Sequence, residues 1–223
     1  MISVIIPLHK IHSEFEAVRR KLQKADYSFE VIIIAKENSP YQLKELRENE
    51  KFIKISKKGR GHAVAAGLRE AKGSTILVLH GDTVLPDQWD LLILNSLSND
   101  RVSGGGFSLS FDRSNPLLRS LIFLSDLFYF ATGELWGDRG MFFRAKVTDG
   151  HISKVDIPLM EDVVLSKLIR EQGQIIKVKE KVITSSGTFY KKGLLRHTVK
   201  ILICRGWFMI GGNPRRIYKF YYS

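Results

Sequence analysis

The chain has 223 residues, 44% of them hydrophobic, which is enough apolar material for a full core and excludes wholesale disorder. Its formal net charge of +12 predicts an acidic partner: nucleotide phosphates, nucleic acid or an anionic membrane face. The single cysteine, Cys204, excludes an internal disulfide and is typical of a reducing compartment.

Neither a signal peptide nor a membrane-spanning helix is expected from the sequence. The N-terminus enters a strand directly, without a basic region, an apolar core and a cleavage site. The nearest approach to a spanning segment, 117–131, is broken by Arg119 and Asp126 and falls short of the roughly 20 apolar residues required. We therefore expect a cytoplasmic protein, soluble or peripheral at the inner face of the membrane.

Strand and helix patterns alternate along the first part of the chain. Short apolar runs predict buried strands at 2–8, 29–35, 52–55 and 75–79. Short connections join them through helices, which is typical of a mostly parallel, doubly wound sheet. The expected fold class is therefore α/β, with a mostly parallel central sheet flanked by helices.

Two helices of this part carry start signals. Ser13 and Glu16 form a capping box for the first helix. Ser39-Pro40 predicts a second helix, which carries Leu43 and Leu46 inward and ends near Glu50. An alanine-rich helix is predicted at 62–71.

The second part of the chain mixes apolar helices with short strands, and no linker interrupts it. We assign one domain over 1–212 and a basic, aromatic tail over 213–223. The glycines at the start of the strand 104–111 indicate close approach by a ligand or another backbone. The predicted helices lie at 87–98, 116–131, 161–171 and 194–207, and the predicted strands at 104–111, 141–144, 175–178 and 182–184.

The strand at 75–79 ends on His80, Gly81 and Asp82. In open α/β sheets, ligands bind at the carboxyl ends of the strands. A carboxylate held there can bind a hard cation, and the cation can bind a phosphate. Asp82 is equally consistent with a turn before Pro86, since aspartate is a common turn residue.

Two further stretches have a functional and an ordinary interpretation. Gly59, Arg60 and Gly61 precede a helix, so backbone N–H groups can face an anion there; the residues alone favour a tight turn with solvated basic side chains. Glu161 and Asp162 open another helix, where acidic groups stabilise the macrodipole by about 0.3–1 kcal/mol without any catalysis.

The order and spacing of these motifs resemble those of the family 2 glycosyltransferases, which have the nucleotide-sugar-binding GT-A fold. The likeness is closest to the bacterial branch called transferase 2, selenodomain-associated. The matching pieces span nearly the whole chain: Val4-Ile5-Ile6-Pro7, Glu30-Val31-Ile32-Ile33, Gly59-Arg60-Gly61 with Ala65-Ala66-Gly67, Leu79-His80-Gly81-Asp82-Thr83-Val84-Leu85-Pro86, Gly137-Asp138-Arg139-Gly140 and Pro158-Leu159-Met160-Glu161-Asp162-Val163.

The resemblance implies a metal-dependent, inverting glycosyltransferase. Asp82 matches the last aspartate of the family's Asp-x-Asp motif and would hold Mg²⁺ or Mn²⁺ with the donor's diphosphate. Asp162 would take the proton of the acceptor hydroxyl, and Glu161 would orient the loop or the donor. The resemblance further implies that the nucleotide-sugar donor contacts Pro7, Gly59, Arg60, Gly61, His80, Gly81, Asp82, Trp136, Gly137 and Asp138.

Some of these residues have other interpretations. His80 is at least as consistent with a structural hydrogen bond as with a contact to ribose or metal. Trp136 is equally consistent with a place in the core. Arg196, Arg205 and Trp207 only loosely resemble the family's Gln-x-x-Arg-Trp element. His197 is expected to be an exposed helix residue rather than a third metal ligand.

The chain departs from the family pattern after its first two strands. Leu8-His9-Lys10 stands where Asn-Glu is usual, and Ala35-Lys36-Glu37 stands where an aspartate normally holds the nucleobase or ribose. The missing carboxylate motivates an alternative hypothesis, a nucleotide-sugar-binding protein that has lost turnover.

The basic and aromatic tail, 214–222, suits an anionic membrane surface. Because many transferases of this family act on lipid-linked acceptors, we expect membrane proximity as an addition to the transferase hypothesis. A basic peripheral membrane-binding protein is the remaining alternative. No nucleic-acid motif is present, so no nucleic-acid partner is expected.

Overall fold

A mixed sheet runs through the centre of the computed structural model, which describes residues 1–8, 14–37, 43, 45–113 and 115–223. Within these residues the sheet has eight strands in the order β3-β2-β1-β4-β7-β6-β8-β5. The strands are β1 (Ile2–Leu8), β2 (Phe29–Lys36), β3 (Glu50–Ile55), β4 (Thr75–Val78), β5 (Thr83–Val84), β6 (Val102–Phe111), β7 (Met141–Arg144) and β8 (Gln174–Thr184).

Helices cover both faces of this sheet. They are α1 (Phe15–Leu22), α2 (Arg60–Glu70), α3 (Trp89–Leu97), α4 (Pro116–Thr132), α5 (Ile152–Val155), α6 (Glu161–Gln172), α7 (Gly187–Lys192), α8 (Leu194–Met209) and α9 (Pro214–Tyr222). Short 3₁₀ turns at Gly137–Arg139 and Ala145–Thr148 flank β7. The predicted α/β class is confirmed.

The first half of the sheet is parallel, as the apolar runs predict. β1 lies between β2 and β4 and pairs with both in parallel, so that Ile5 stands beside Ile32 on one side and Val78 on the other. All three side chains are buried, because helices cover each face of these strands. The carboxyl ends of β1, β2 and β4 therefore meet at one edge of the sheet.

The second half mixes directions. β7 is antiparallel to β4 and to β6, β8 is parallel to β6, and β5 is antiparallel to β8. β8 is one continuous strand where the sequence predicts two short ones. Its register with β6 shifts between Phe107 and Ser108, which accommodates the polar residues between the two apolar stretches.

The prediction of a helix that ends near Glu50 is wrong over the described residues 45–49, because these residues are not helical. Leu46, predicted to point inward, is 47% exposed. Glu50 instead opens β3 opposite Val31, and its buried carboxylate accepts a hydrogen bond from Arg19 Nε at 3.0 Å. Pairing with β2 thus overrides the local helix signal. Ser13 of the capping box and Ser39-Pro40 lie outside the described residues.

Two apolar clusters hold the helices to the sheet. One, on the α1 and α3 side, includes Phe15 and Trp89. The other, on the α2 and α6 side, includes Val64 and Leu168. Trp89 is fully buried and meets Phe29 edge to face at 5.7 Å. Packing on both faces fixes β4 in the middle of the sheet. The turn 80–82, which follows β4 directly, therefore starts from a fixed position.

The C-terminal segment packs on the same molecule. α9 folds back against α8, with Ile217 fully buried in a small cluster that includes Cys204 and Leu159. Of the helices that the structure describes, none is long and apolar enough to cross a bilayer.

Candidate active site

A cavity of about 210 Å³ opens at the carboxyl end of β4. Its lining includes Asp82 from the β4 end, Asp162 from α6 and Arg205 from α8. Side chains that are far apart in the sequence therefore share one cleft. His80, Trp136, Gly137, Asp138 and Arg60 complete its polar and aromatic lining.

A tight turn after β4 places His80 and Asp82. The Thr83 N–H donates to the His80 carbonyl at 3.1 Å, and the Ser185 N–H donates to the Asp82 carbonyl at 3.2 Å. Asp82 is half-buried. Gly81 is directed away from the cavity, since a Cβ there would lie 2.8 Å from Leu8 in the core. The turn thus fixes the backbone of Asp82 and leaves its carboxylate on the cavity wall.

The 3₁₀ turn Gly137–Arg139 places Asp138 beside His80. His80 Nδ1 lies 3.0 Å from Asp138 Oδ1, so the imidazole has the structural partner that one interpretation of the sequence expects. Burial alone would raise the pKa of Asp138, but the His80 hydrogen bond and nearby positive charge lower it to about 2. The fully buried Arg139 anchors the turn to α4 through Asp126 at 2.6 Å.

Asp162 lies at the start of α6 and has partners on three sides. Its carboxylate accepts hydrogen bonds from the Gly137 N–H at 3.2 Å and from Arg205 Nη1 at 3.1 Å. Arg60 Nη2 lies 4.0 Å from its other oxygen. The preceding Met160 has a left-handed φ of 71°, a strained value for a residue with a side chain. This turn directs Asp162 into the cavity.

A buried ion-pair network joins α2, α6 and α8. Arg60 pairs with Glu161, and Arg205 bridges Asp162 and Glu134, whose Oε2 lies 3.2 Å from Arg205 Nη2. Burial raises the pKa of Glu161, although Arg60 opposes the rise. Burial also opposes ionisation of Asp162, but the positive charges of Arg205 and Arg60 outweigh it and lower the pKa of Asp162. Asp162 is thus a carboxylate at neutral pH.

The glycines at 59 and 61 serve protein packing. Gly59 has a φ of 132°, and a Cβ there would lie 2.4 Å from the Pro158 carbonyl oxygen. A Cβ at Gly61 would lie 2.2 Å from the Ile157 carbonyl oxygen. The loop therefore abuts the backbone just before α6. Arg60 is not the solvated turn residue of the ordinary interpretation, because its side chain is mostly buried and paired with Glu161.

A second cavity, of about 300 Å³, lies at the ends of β1 and β2. Arg60 and Tyr222 line both cavities, which are therefore neighbours. Among the described residues none of those lining the second cavity is acidic, and Ala35 and Lys36 stand at the end of β2. Basic and aromatic side chains share the lining with apolar and small residues; the former include Lys36, Lys57, Lys58, Tyr218 and Tyr222, and the latter include Pro7 and Gly59.

The C-terminal helices supply site residues that the sequence did not identify. His197, expected to be exposed, is only 3% exposed and lines the first cavity, where burial lowers its pKa to about 4. Arg205, given only a loose family match, binds Asp162 directly. Tyr221 and Tyr222 of the tail also line this cavity. Helical periodicity carries no signal for these contacts, because they depend on how α8 and α9 pack.

Three buried nitrogens of residues that line the cavity have no hydrogen-bond partner among the described residues. They are Trp136 Nε1, His197 Nδ1 and Arg205 Nε. Buried polar groups are normally paired, so any of these nitrogens that faces the cavity would gain from a polar group bound there. The Trp136 ring centre also lies 5.3 Å from the Arg205 guanidinium carbon. Trp136 is buried and lines the cavity, so it has both the core position and the pocket position that the sequence allows.

The donor set for a metal is sparse. Within the described part of the chain, no three His, Cys, Asp or Glu side chains cluster closely enough to hold an ion by themselves. Asp82 offers a hard oxygen ligand of the kind that Mg²⁺ and Mn²⁺ prefer. These residues fit a cation that takes its remaining ligands from a bound diphosphate and water.

Solved structures share this fold. PcManGT, a mannosyltransferase from Pyrobaculum calidifontis in complex with GDP-Man and Mn²⁺, is similar with a TM-score of 0.66 and 14% identity, over 99% of this chain and 68% of that chain. S. aureus TarS 1–349 in complex with UDP is similar with a TM-score of 0.60 and 16% identity, over 90% of this chain. The chain spans 64% of the length of that TarS structure.

These likenesses identify the fold as GT-A. A comparison with curated proteins gives no match. The family model of Glycosyl transferase family 2 matches residues 3–155, a span that includes Asp82 and Asp138 and ends before Glu161. Since the match covers more than half of the sequence, this chain belongs to glycosyl transferase family 2.

Proposed function

We propose that this protein transfers a sugar from a nucleotide-sugar donor to an acceptor hydroxyl, with inversion at the anomeric carbon. The observation that carries the proposal is that Asp82 and Asp162 line one cavity together with Arg60 and Arg205. Such a site combines a ligand for a divalent cation, a carboxylate for proton removal and two permanent positive charges.

The donor would span the two cavities. Its nucleotide would occupy the second cavity, where Tyr218 and Tyr222 offer aromatic faces and Lys36, Lys57 and Lys58 offer positive charge. Its sugar would occupy the first. Because Arg60 lines both, its guanidinium would lie beside the diphosphate that connects the two parts of the donor.

Asp82 would hold Mg²⁺ or Mn²⁺ against the diphosphate. A cation bound there would supply Lewis-acid stabilisation of the negative charge that develops on the leaving group. Arg60 would add to that stabilisation from the protein side, and Glu161 would hold Arg60 in place through their buried ion pair.

Asp162 would accept the proton of the attacking hydroxyl. Its lowered pKa keeps it ionised at neutral pH, and its hydrogen bonds with Arg205 and the Gly137 N–H fix its orientation. A single attack by a hydroxyl held on the side opposite the diphosphate gives inversion.

The second candidate function is nucleotide-sugar binding without turnover. It is favoured by the lining of the second cavity, where Ala35 and Lys36 stand and no described residue is acidic. Calorimetric titration with UDP-GlcNAc and GDP-Man, followed by an assay for released nucleoside diphosphate, separates the two functions. Binding without release, with and without Mn²⁺, would support the second.

Two finer assignments rest on the sequence. We propose that the chain belongs to the selenodomain-associated branch of the family, because the motif Leu79-His80-Gly81-Asp82 matches that branch. We also propose that it acts in the cytoplasm, because its single cysteine suits a reducing compartment.

The base assignment is tested by Asp162→Asn. We expect turnover to fall by about 10²–10⁴-fold, since the general base is lost, while calorimetric affinity for the donor changes little. Hydrolysis of the donor with water as acceptor provides the assay. Asp149→Asn, which changes an exposed carboxylate that does not line the cavity, is the matched control and should leave the rate unchanged. A fully active Asp162→Asn enzyme would refute the assignment.

The cation assignment is tested by Asp82→Ala. We expect the variant to lose most of its activity and its response to added Mn²⁺ and to EDTA, because its cation ligand is gone. Donor-dependent Mn²⁺ binding, followed by calorimetry, should weaken in parallel. An activity that responds to EDTA as the wild type does would assign the ligand elsewhere.

A further inference from the structure

Helices α4 and α8 each expose a stripe of large apolar side chains. On α4, Phe123 and Phe130 are 70% and 74% exposed, and Leu124 and Leu127 lie on the same side. The exposed side of α8 carries Leu195, Val199, Leu202, Ile203 and Met209, and the exposed Ile210 follows at its C-terminal end. Contiguous exposed apolar surface on a soluble fold is typical of an interaction site.

The two helices pack side by side through their opposite faces. Leu121 of α4 and Ile201 of α8 belong to one apolar cluster, and the Arg205 guanidinium lies 5.5 Å from the centre of the Phe128 ring. Leu121, Ile201 and Arg205 also line the first cavity. The inner faces of α4 and α8 thus wall the candidate active site, while their outer faces meet solvent.

The charge of the C-terminal part of this surface has one sign, whereas α4 carries both Arg119 and Asp126. Residues 185–223 contain no Asp or Glu, and their eight Lys and Arg residues are Lys191, Lys192, Arg196, Lys200, Arg205, Arg215, Arg216 and Lys219. Four of these line a cleft of about 270 Å³ beside α8: Lys191, Lys192, Arg196 and Lys200. His197, Tyr221 and Tyr222 line both this cleft and the first cavity, so the basic surface adjoins the site.

We propose that the outer faces of α4 and α8 dock on a lipid bilayer that carries anionic headgroups. The docking face is defined as Phe123, Leu124, Leu127 and Phe130 of α4, with Leu195, Val199, Leu202, Ile203 and Met209 of α8 and the Ile210 that follows it. Its apolar side chains would enter the boundary between headgroups and acyl chains, and the neighbouring cations would bind the headgroups.

The charge distribution selects this occupant over a second copy of the chain. Two copies apposed through this face would bring two acid-free, strongly basic segments together, and like charges in contact oppose association. An anionic bilayer supplies both the apolar layer and the opposite charge. Such docking needs no membrane-spanning helix, because a helix can lie in the interface plane.

Docking would place the first cavity next to the membrane, because the inner faces of α4 and α8 line that cavity. If the protein transfers a sugar as proposed, the acceptor would be an amphiphile with its chain in the bilayer and its hydroxyl in the first cavity. The docking itself does not depend on turnover. Vesicle binding measured without donor and donor binding measured without vesicles can therefore fail separately.

The test is co-sedimentation of the full chain with two kinds of vesicle, phosphatidylcholine alone and phosphatidylcholine mixed with phosphatidylglycerol. The apolar variant is Phe123→Ser/Phe130→Ser/Ile203→Ser. Its matched control is Tyr27→Ser/Leu46→Ser, two exposed apolar side chains outside the docking face. Because every substituted side chain is exposed, we expect melting temperatures near that of the wild type.

We expect the wild type to bind the anionic vesicles and the apolar variant to lose roughly tenfold or more in affinity, while the control binds as the wild type does. Equal binding by the apolar variant would overturn the proposal, as would a wild type that does not sediment. A wild-type dimer that the apolar variant dissociates, without vesicle binding, would assign the face to self-association and also overturn it.

A second variant tests the charges. Lys191→Gln/Lys192→Gln/Arg196→Gln should weaken binding to anionic vesicles and reduce its salt dependence. Lys154→Gln/Lys167→Gln/Lys179→Gln removes the same charge from exposed positions elsewhere and should have a smaller effect. Equal losses in the two triple variants would mean that binding follows net charge alone, which contradicts a defined docking face.

Discussion

Two ion-pair networks meet at the start of α2, one at the rim of the molecule and one in the cavity. In the rim network, Asp156 pairs with Lys57, His62 and Arg69, and the side chains of Lys57 and Arg69 are 62% and 49% exposed. The cavity network contains Arg60, Glu161, Asp162, Arg205 and Glu134, and the side chains of Arg205 and Glu134 are 6% and 9% exposed.

The two networks differ in burial, and this difference indicates that one set of ion pairs has a structural role and the other acts on a ligand. Water screens the exposed cations of the rim network, Lys57 and Arg69, so either of them can be lost at small cost. The cavity network lies in a low-dielectric surrounding, where an unpaired charge is expensive and where an oriented charge acts strongly on a ligand. The rim network is therefore expected to fasten α2 to α5, and the cavity network to hold the groups that perform chemistry.

The largest expected effect is that of Arg205→Met. It leaves the buried carboxylates of Asp162 and Glu134 without the guanidinium that they share. Removing one member of a buried pair typically costs about 3–5 kcal/mol of unfolding free energy. Urea unfolding followed by circular dichroism measures the change.

The triple variant Arg205→Met/Asp162→Asn/Glu134→Gln sharpens the comparison. Neutralising all three groups should recover part of the stability lost in Arg205→Met, because no unpaired charge remains. The exposed Arg101→Met should change stability by less than about 0.5 kcal/mol. A loss for Arg205→Met as small as that would show that the cavity network behaves like a surface one.

The expected loss of unfolding free energy for Gly61→Ala is intermediate between those for substitutions in the cavity network and in the rim network. The new Cβ would lie 2.2 Å from the Ile157 carbonyl oxygen, and backbone on both sides leaves little room for relaxation. Overpacking of this kind costs about 1–3 kcal/mol. Gly206→Ala is the matched control, since a Cβ there meets open space in the helix α8 and should be neutral or stabilising. Equal stability of the two variants would contradict the tight contact.

One side of the candidate site has local signals in the sequence. The strand before His80 and Asp82 is an apolar run that can only be buried, and its carboxyl end is where ligands bind in such folds. Arg60 and Glu161 stand at helix starts that local signals indicate, but only the family resemblance implies a place for them in the site, because the residues alone favour a solvated turn and a macrodipole role. The glycines at 104–106 predict close approach by a ligand or another backbone. The structure shows backbone there: a Cβ at Gly104 would lie 2.6 Å from the Phe142 carbonyl oxygen of the neighbouring strand.

The other side depends on tertiary packing. Arg205 and His197 project from the buried face of α8, and the basic and apolar residues of this helix are not segregated clearly enough in the sequence to tell which face packs inward. Tyr222 enters both cavities only because α9 folds back on α8. The prediction of a helix before Glu50 is also wrong because of tertiary structure, since the pairing of β3 with β2 overrides the local helix signal.

The smallest expected effect is that of Asp156→Asn at the rim, about 1 kcal/mol of unfolding free energy near neutral pH. Burial alone would raise the pKa of Asp156, but hydrogen bonds from His62, Lys57 and Arg69 lower it to about 2. The pKa of an aspartate in the unfolded chain is about 3.9, so the stabilising contribution is complete above that value and is lost as the pH falls through the folded pKa. The stability difference between wild type and variant, measured by urea unfolding, should therefore hold constant above about pH 5 and shrink as the pH approaches about 3. A difference that stays the same over that interval would mean that the charge of Asp156 is not what fastens α2 to α5.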